Sequence, residues 1–128
     1  METTTTNGIK ISIEAFYQMG HSNPQKHQYI HAYRVTIENN SDYTVKLLRR
    51  HWYIYDSNGI KREVEGKGVI GKQPVLSPGQ QHQYMSWSPL STDIGKMKGS
   101  FLMERQTDQQ RFRVRIPECR LIAPFKLN

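Results

Sequence analysis

The chain has 128 residues and one cysteine, Cys119, which excludes an internal disulfide and a four-thiolate zinc site within one chain. Its 18 Lys and Arg residues against 11 Asp and Glu residues give a formal net charge of +7, which favours anionic partners such as nucleic acid, nucleotides, acidic proteins or anionic lipid. No run of about 18 apolar residues and no secretory signal pattern are present, which argues against membrane insertion and export. We therefore expect one cytoplasmic domain.

Alternation of apolar and polar residues with a period of two runs through most of the chain, interrupted at short intervals by turn residues. This pattern predicts short β-strands instead of helices. Residues 1–7 are rich in threonine, and we expect them to be a disordered N-terminus that leaves 8–128 as the single domain. In chain order, the predicted strands are residues 9–17, 29–38, 44–55, 60–65, 80–87, 97–105, 111–116 and 119–122.

The turns and the core face follow from residue type. Asp-Ser-Asn-Gly at 56–59 predicts a hairpin turn, because Asn and Gly accept positive φ. Pro117 is expected to separate the last two strands, since proline cannot donate to the hydrogen-bond ladder. Trp52 is the expected core anchor of the strand at 44–55. The predicted core face of that strand is Leu48, Arg50, Trp52 and Ile54. About eight strands without a crossover helix predict an all-β, antiparallel β-sandwich.

Residues 66–71 read GKGVIG and match the G-x-G-x-x-G pattern of dinucleotide-binding folds, in which a helix N-terminus holds the pyrophosphate. That fold is rejected because Pro74 and Pro78 follow and no helical pattern begins at the loop. Two interpretations stay open. The glycines supply positive φ or a bulge at a sandwich edge, or they form an anion nest for pyrophosphate or a nucleotide. The candidate anion-binding residues are Gly66, Lys67, Gly68, Gly71 and Lys72.

Two predicted strands carry positive charge along one side. Arg111, Arg113 and Arg115 alternate with apolar residues, which is typical of either a charged edge strand or a phosphate-binding ridge. On the strand at 44–55, the side opposite Trp52 is an open strip of basic and aromatic residues. Such a strip is either a solvated sheet face or a surface that binds single-stranded nucleic acid. Its residues are Arg49, His51, Tyr53 and Tyr55.

The sequence contains no motif for catalysis or metal binding. His27 and His31 have the spacing of a helical zinc pair, but in an extended chain their Cα atoms are about 13 Å apart, too far for one ion. Cys119 lies on an apolar strand, where a buried and inert thiol is expected. The sequence therefore predicts a noncatalytic binding domain without cofactor or metal. Its expected partner is a protein or a small anionic ligand, and the charge leaves nucleic acid open.

Eight short sequence motifs resemble those of one bacterial protein family. They are YRVTIENN (33–40), RHW (50–52), DSNG (56–59), VEGKGVIGKQP (64–74), LSPG (76–79), SPL (88–90), GKMKGSFLM (95–103) and FRVRIP (112–117). Over residues 8–124 the chain resembles the ApaG family. The resemblance implies a fibronectin type III-like or immunoglobulin-like sandwich and no catalytic residue. It also implies a link to cobalt and magnesium resistance or efflux, a glycine loop proposed to bind pyrophosphate, and, from related eukaryotic domains, protein interaction.

This sequence departs from the family pattern at three positions. Lys67 and Lys72 stand in the glycine loop where acidic residues are common, which disfavours direct metal chelation and leaves anion binding open. Cys119 stands where the family more often has an aromatic residue, so the resemblance implies no redox or metal role for this thiol.

Overall fold

The computed structural model of the chain describes residues 1–124 and consists mainly of β-strands. Two 3-10 helices of three residues each, Met19–His21 and Pro24–Lys26, lie between the second and third strands. No helix within residues 1–124 is long and apolar enough to cross a membrane. The strands are β1 Glu2–Thr6, β2 Ile9–Tyr17, β3 Tyr29–Asn39, β4 Val45–Asp56, β5 Lys61–Lys67, β6 Val75–Leu76, β7 Gln81–Leu90, β8 Ile94–Arg105 and β9 Arg111–Ile122.

The strands form two antiparallel sheets. Sheet 1 has the order β1-β2-β3-β7, and sheet 2 has the order β5-β4-β8-β9 with the short strand β6 also paired to β4. The apolar inner faces of the two sheets pack together and form one core. The predicted all-β, antiparallel β-sandwich is confirmed, and the architecture is of the immunoglobulin-like and fibronectin type III-like kind.

Trp52 is the aromatic anchor of this core, as the sequence predicted. Only 2% of its surface is exposed, and its ring packs edge-on against that of Tyr33 from the opposite sheet with 5.4 Å between ring centroids. Such an edge-to-face pair stabilises the core beyond the area that it buries. The two sheets are therefore joined at the middle of β3 and β4.

A β-bulge in β4 changes which side chains face the core. The pairing of β4 with β8 shifts register between Leu47 and Arg49, so Leu48 is the extra residue. Before the bulge Leu47 points inward and is 2% exposed, and after it Trp52 and Ile54 point inward. The predicted core face was thus right for Trp52 and Ile54 and wrong for Leu48, because strict alternation does not hold across a bulge.

The C-terminal strand is longer than predicted. β9 runs without interruption from Arg111 to Ile122, with Pro117 inside it. The register with β8 shifts between Met97 and Gly99, opposite Pro117, so the missing N–H of the proline falls where the ladder is already irregular. The prediction of two separate strands was wrong for this reason.

Residues 1–7 were expected to be disordered, but the structure shows a β-strand there. Glu2–Thr6 forms β1, which pairs with β2 from Glu2 opposite Ile13 to Thr6 opposite Ile9. The hydroxyl oxygen of Thr6 also accepts a hydrogen bond of 3.3 Å from the backbone N–H of Arg115 on β9. Threonine is β-branched and favours extended backbone once a neighbouring strand is available.

Candidate anion-binding face

The outer face of sheet 2 brings the two basic strips of the sequence onto one surface. β4 and β9 are both neighbours of β8, and the register places His51 beside Ser100 and Ser100 beside Arg115. We call this surface the basic face. Its polar and aromatic residues are Lys46, Arg49, His51, Tyr53, Tyr55, Lys61, Glu63, Glu65, Lys67, Lys96, Lys98, Ser100, Glu104, Arg111, Arg113, Arg115, Glu118 and Arg120.

Most of the net charge of the chain lies on this face. It carries ten Lys and Arg residues and four Glu residues, a formal net charge of +6 out of +7 for the whole chain. Three of the cations pair with a glutamate at 3.3–3.9 Å, namely Arg49, Lys96 and Arg111. The fourth glutamate, Glu63, contacts His51 Nε2 at 2.5 Å. Seven cations have no acidic partner within residues 1–124: Lys46, Lys61, Lys67, Lys98, Arg113, Arg115 and Arg120.

Aromatic rings form a file along β4 in the middle of these cations. The ring of His51 stacks on that of Tyr53 with 4.6 Å between centroids and 21° between planes. The ammonium group of Lys61 lies 5.1 Å from the Tyr53 ring, and that of Lys96 lies 5.3 Å from the Tyr55 ring. Cations at this distance are attracted by the π-face. The face therefore presents positive charge and ring surface side by side.

Two depressions mark the places where the sheet is irregular. The first, about 380 Å³, lies at the bulge between β8 and β9 and is lined by Tyr53, Lys98, Ser100 and Arg115 among others. The second, about 200 Å³, lies at the bulge of β4. It is lined by the apolar side chains of Leu48 and Leu102 and by Arg49, Lys67, Gln73 and Arg111. Both depressions thus combine cations with apolar or aromatic surface.

The glycine loop uses three of its amides in backbone hydrogen bonds. The N–H of Gly68 donates to the Leu48 carbonyl at 2.9 Å, and the N–H of Val69 donates to the Lys72 carbonyl at 2.8 Å. The N–H of Lys72 in turn donates to the Val69 carbonyl at 3.0 Å. These three amides are not free for a phosphate. Gly68 has φ +64°, and a Cβ added there would lie 2.2 Å from the Lys72 carbonyl oxygen, so its glycine is required by backbone geometry.

The position of the Arg50 side chain explains why residue 66 is a glycine. Its guanidinium donates hydrogen bonds of 3.1 Å to the carbonyl oxygens of Lys67 and Gly68. A Cβ at Gly66 would lie 2.9 Å from the guanidinium nitrogens, so a side chain there would displace Arg50. The loop therefore turns two carbonyls toward a cation of the protein itself. Of the five candidate residues, Gly66 and Gly68 have structural reasons to be glycine.

Both lysines of the loop are exposed to solvent. Lys67, Gly71, Lys72 and Gln73 line a small depression of about 280 Å³. Ile70 and Gly71 both have positive φ, 48° and 72°, as the two central residues of a type I′ turn require. Lys67 belongs to the basic face as well, so the candidate residues of the loop adjoin that face at one end.

The buried titratable groups lie in the core, away from the basic face. Burial lowers the pKa of His31, which is 1% exposed, to about 4, and burial raises the pKa of the Cys119 thiol to about 11. The thiol of Cys119 is buried, as predicted, with 5% of the residue exposed. Across the described part of the chain, no three His, Cys, Asp or Glu side chains come together as metal ligands would.

Known proteins with the same sequence pattern identify the family. The ApaG domain profile matches residues 19–105. The chain belongs to the ApaG family. Protein ApaG of Brucella abortus (strain S19) is 45% identical over 124 residues, which cover 97% of this chain and 95% of that protein. Protein ApaG of Brucella anthropi is 43% identical and covers 94% of this chain and 97% of that protein.

A solved structure supports the same assignment. The crystal structure of the Bordetella pertussis protein called ApaA superposes with a TM-score of 0.88 at 36% identity. The match covers 91% of this chain and 94% of that chain. The sandwich of this chain is thus the fold of an experimentally determined relative.

Sequence reasoning identified parts of the basic face but not its extent. It selected the strips on β4 and β9, whereas Lys61, Lys96, Lys98 and Arg120 were not linked to them. Lys96 and Lys98 alternate with Gly95, Met97 and Gly99, a signal that they share one side of β8. Which strands flank β8 depends on pairing between distant segments. The sequence therefore could not show that these lysines share a surface with the strips on β4 and β9.

Proposed function

We propose that this chain is a noncatalytic binding domain that holds an anionic partner on the basic face. The observation that carries the proposal is the group of seven cations on one side of sheet 2 that have no acidic partner among residues 1–124. Like charges gathered on one surface repel each other, and an anion bound there relieves that repulsion and releases counterions. A cytoplasmic location, favoured by the single cysteine, is part of the proposal.

The character of the face supports binding in place of catalysis. Catalytic acids and bases usually have strongly shifted pKa values, because they lie in sites that favour one protonation state. The large shifts in the described residues belong to core groups: burial lowers the pKa of His31 and raises those of Tyr84 and Cys119. The basic face instead offers exposed permanent cations, which suit charge recognition.

The family link to cobalt and magnesium enters the proposal as an indirect effect. We propose that the chain acts on cation resistance through its bound partner, since its described residues bring together no set of three metal-ligating side chains. Calorimetric titration with Co²⁺ checks this point. We expect no stoichiometric binding, whereas micromolar binding that is lost in His27→Ala would contradict the indirect role.

Binding to simple polyanions tests the proposed function. Inorganic polyphosphate and poly-L-glutamate should both bind, with affinity that falls as salt rises. The Arg113→Ala/Arg115→Ala double variant should bind roughly tenfold more weakly at about 0.1 M salt. A matched control removes the same charge elsewhere: Lys10→Ala/Lys26→Ala, on and beside sheet 1. Equal weakening in both double variants would show that only net charge matters and would refute the assignment to the basic face.

Pyrophosphate or nucleotide binding at the glycine loop is the second candidate. The observation that favours it is the depression lined by Lys67, Gly71, Lys72 and Gln73. With three amides of the loop already engaged, the two lysines would supply most of the attraction. Lys72→Glu is the sharper variant, because Lys67 also belongs to the basic face. A thermal shift with pyrophosphate that Lys72→Glu abolishes and Arg113→Ala/Arg115→Ala preserves would establish this site.

A further inference from the structure

We infer that the anionic partner of the basic face is a single-stranded nucleic acid, whose bases contact the aromatic file of β4 and whose phosphates follow the arginines of β9. This inference rests on the proposed function and names its ligand class. Three features carry it: the placement of the rings between cations, the kind of cation on β9, and the depression beside Tyr53.

Cations flank the aromatic file on both sides. On one side β5 contributes Lys61 and Lys67 at the two ends of the file, with Glu63 and Glu65 between them, and on the other side β9 contributes Arg113 and Arg115. β4 and β9 are separated by β8, so the rings and the arginines lie about 10 Å apart at the usual strand spacing. One nucleotide spans such a distance from its phosphate to its base. A strand lying along the sheet can therefore engage rings and arginines together.

The cations of β9 are all arginines. Arg113 and Arg115 have no acidic partner in the described chain, although the Arg113 guanidinium donates to the Ser100 hydroxyl at 3.4 Å. A guanidinium binds phosphate through two parallel hydrogen bonds and also stacks on planar rings, which an ammonium group does not do. A row of arginines beside tyrosines therefore fits a ligand that alternates phosphate and planar base.

The depression at the bulge between β8 and β9 has room for one base. It measures about 380 Å³, and its lining includes the Tyr53 ring, Lys98 and Arg115 together with Glu118, whose carboxylate pairs with Lys96 at 3.3 Å. Stacking on a tyrosine ring does not depend on base identity, because every base has a π-face. We therefore expect little sequence preference, with affinity supplied by stacking and by charge.

Other anionic macromolecules fit the face less well. Duplex base edges are read by a helix or a β-ribbon that enters a groove. The basic face is instead the flat face of a β-sheet, across β5, β4, β8 and β9. A duplex would gain phosphate contacts only. An acidic peptide would pair with the cations but would add no stacking contact to the aromatic file. The rings are thus the feature that selects single strands.

Fluorescence anisotropy with a labelled single strand of about 12 nucleotides tests the inference, with a duplex of equal length and poly-L-glutamate as comparisons. We expect the single strand to bind most tightly. The slope of log K against log salt should shrink by about 1.4 in Arg113→Ala/Arg115→Ala, since each lost phosphate contact removes about 0.7 for single strands. The Lys10→Ala/Lys26→Ala control should keep the wild-type slope.

The ring is tested separately from the charge. Tyr53→Ala should weaken single-strand binding by roughly 5- to 100-fold, and Tyr53→Phe should restore it, because stacking needs the ring and not the hydroxyl. Circular dichroism and melting temperature of each variant show whether it is folded. If a folded Tyr53→Ala binds normally, or if duplex or poly-L-glutamate binds at least as well, the inference is overturned while the proposed function stands. If no polyanion binds, both fail.

Discussion

The two outer faces of the sandwich are built alike but charged differently. On sheet 1 two cations meet two glutamates: Lys10 lies 3.7 Å from Glu38, and Arg34 lies 2.8 Å from Glu14. The net charge of that face is zero, and the face is otherwise uncharged. On sheet 2 the basic face keeps a net charge of +6. Charge that served only solubility would be spread over both faces, so its concentration on one face supports the proposed anionic partner.

The uncharged surface of sheet 1 has its own character. Phe16, Ala32 and Trp87 lie side by side across β2, β3 and β7, and half of the Trp87 surface is exposed (51%). The His21 ring packs edge-on against Trp87 with 4.9 Å between centroids. One fold thus presents an apolar side with paired charges and a basic side on which seven cations have no acidic partner among the described residues.

The sharpest contrast is between neighbouring residues of β4 that point to opposite sides. Trp52→Ala should lower the free energy of unfolding by about 3 to 5 kcal/mol, because it opens a cavity in the core. Tyr53→Ala, on the basic face, should cost less than about 1 kcal/mol, the range of cross-strand pairs on a sheet surface. Urea unfolding of both variants measures the difference. Similar losses at the two positions would show that the assignment of the two sides of β4 is wrong.

The buried histidine should make the stability of the core sensitive to acid. Burial lowers the pKa of His31 from 6.5 to about 4, so between these pH values the unfolded chain binds a proton that the folded chain does not. Stability from this group is therefore complete above pH 6.5 and is lost as the pH falls toward 4, by about 3 kcal/mol in total. Unfolding measured at both pH values should show a smaller loss in His31→Leu than in the wild-type chain.

The glycine loop should respond to a side chain at Gly68 through stability. Gly68→Ala is expected to destabilise the fold by about 1 to 3 kcal/mol, since its Cβ would meet the Lys72 carbonyl and its φ is positive. Gly20→Ala is the matched control, because no heavy atom lies within 4 Å of an added Cβ there and its φ is not in the left-handed range. Thermal melts compare the two. An unchanged melting temperature in Gly68→Ala would contradict the structural role of this glycine.

The smallest expected effect separates the charges of the two faces directly. Arg34→Ala removes an ion pair with Glu14 and a contact 5.4 Å from the Phe16 ring, and should cost up to about 1 kcal/mol. Arg113→Ala removes a cation that has no acidic partner among residues 1–124 from a surface rich in like charges, and it should be neutral or slightly stabilising at low salt. The difference should shrink as salt rises. A destabilisation by Arg113→Ala equal to that of Arg34→Ala would show that the charges on the basic face are already balanced.

Local features were readable from the sequence. Period-two alternation marks strands, and the side of β4 that holds Trp52 and Ile54 follows from residue type, because successive side chains of a strand point to opposite sides. The Asn-Gly pair at 58–59 likewise marked its turn, where Gly59 has φ +89°. Each of these signals lies within a few neighbouring residues.

The basic face itself was decided by tertiary structure. Arg113 and Tyr53 belong to one surface only because β8 lies between β4 and β9, and strand order depends on pairing between distant segments. The bulge at Leu48, the strand formed by Glu2–Thr6 and the guanidinium of Arg50 beside Gly66 have the same origin. The sequence by itself determined where strands and turns form and which side chains share a side of a strand, because these properties depend on neighbouring residues. Only the tertiary structure decided which charges become neighbours, because that depends on which strands pair in the sheet.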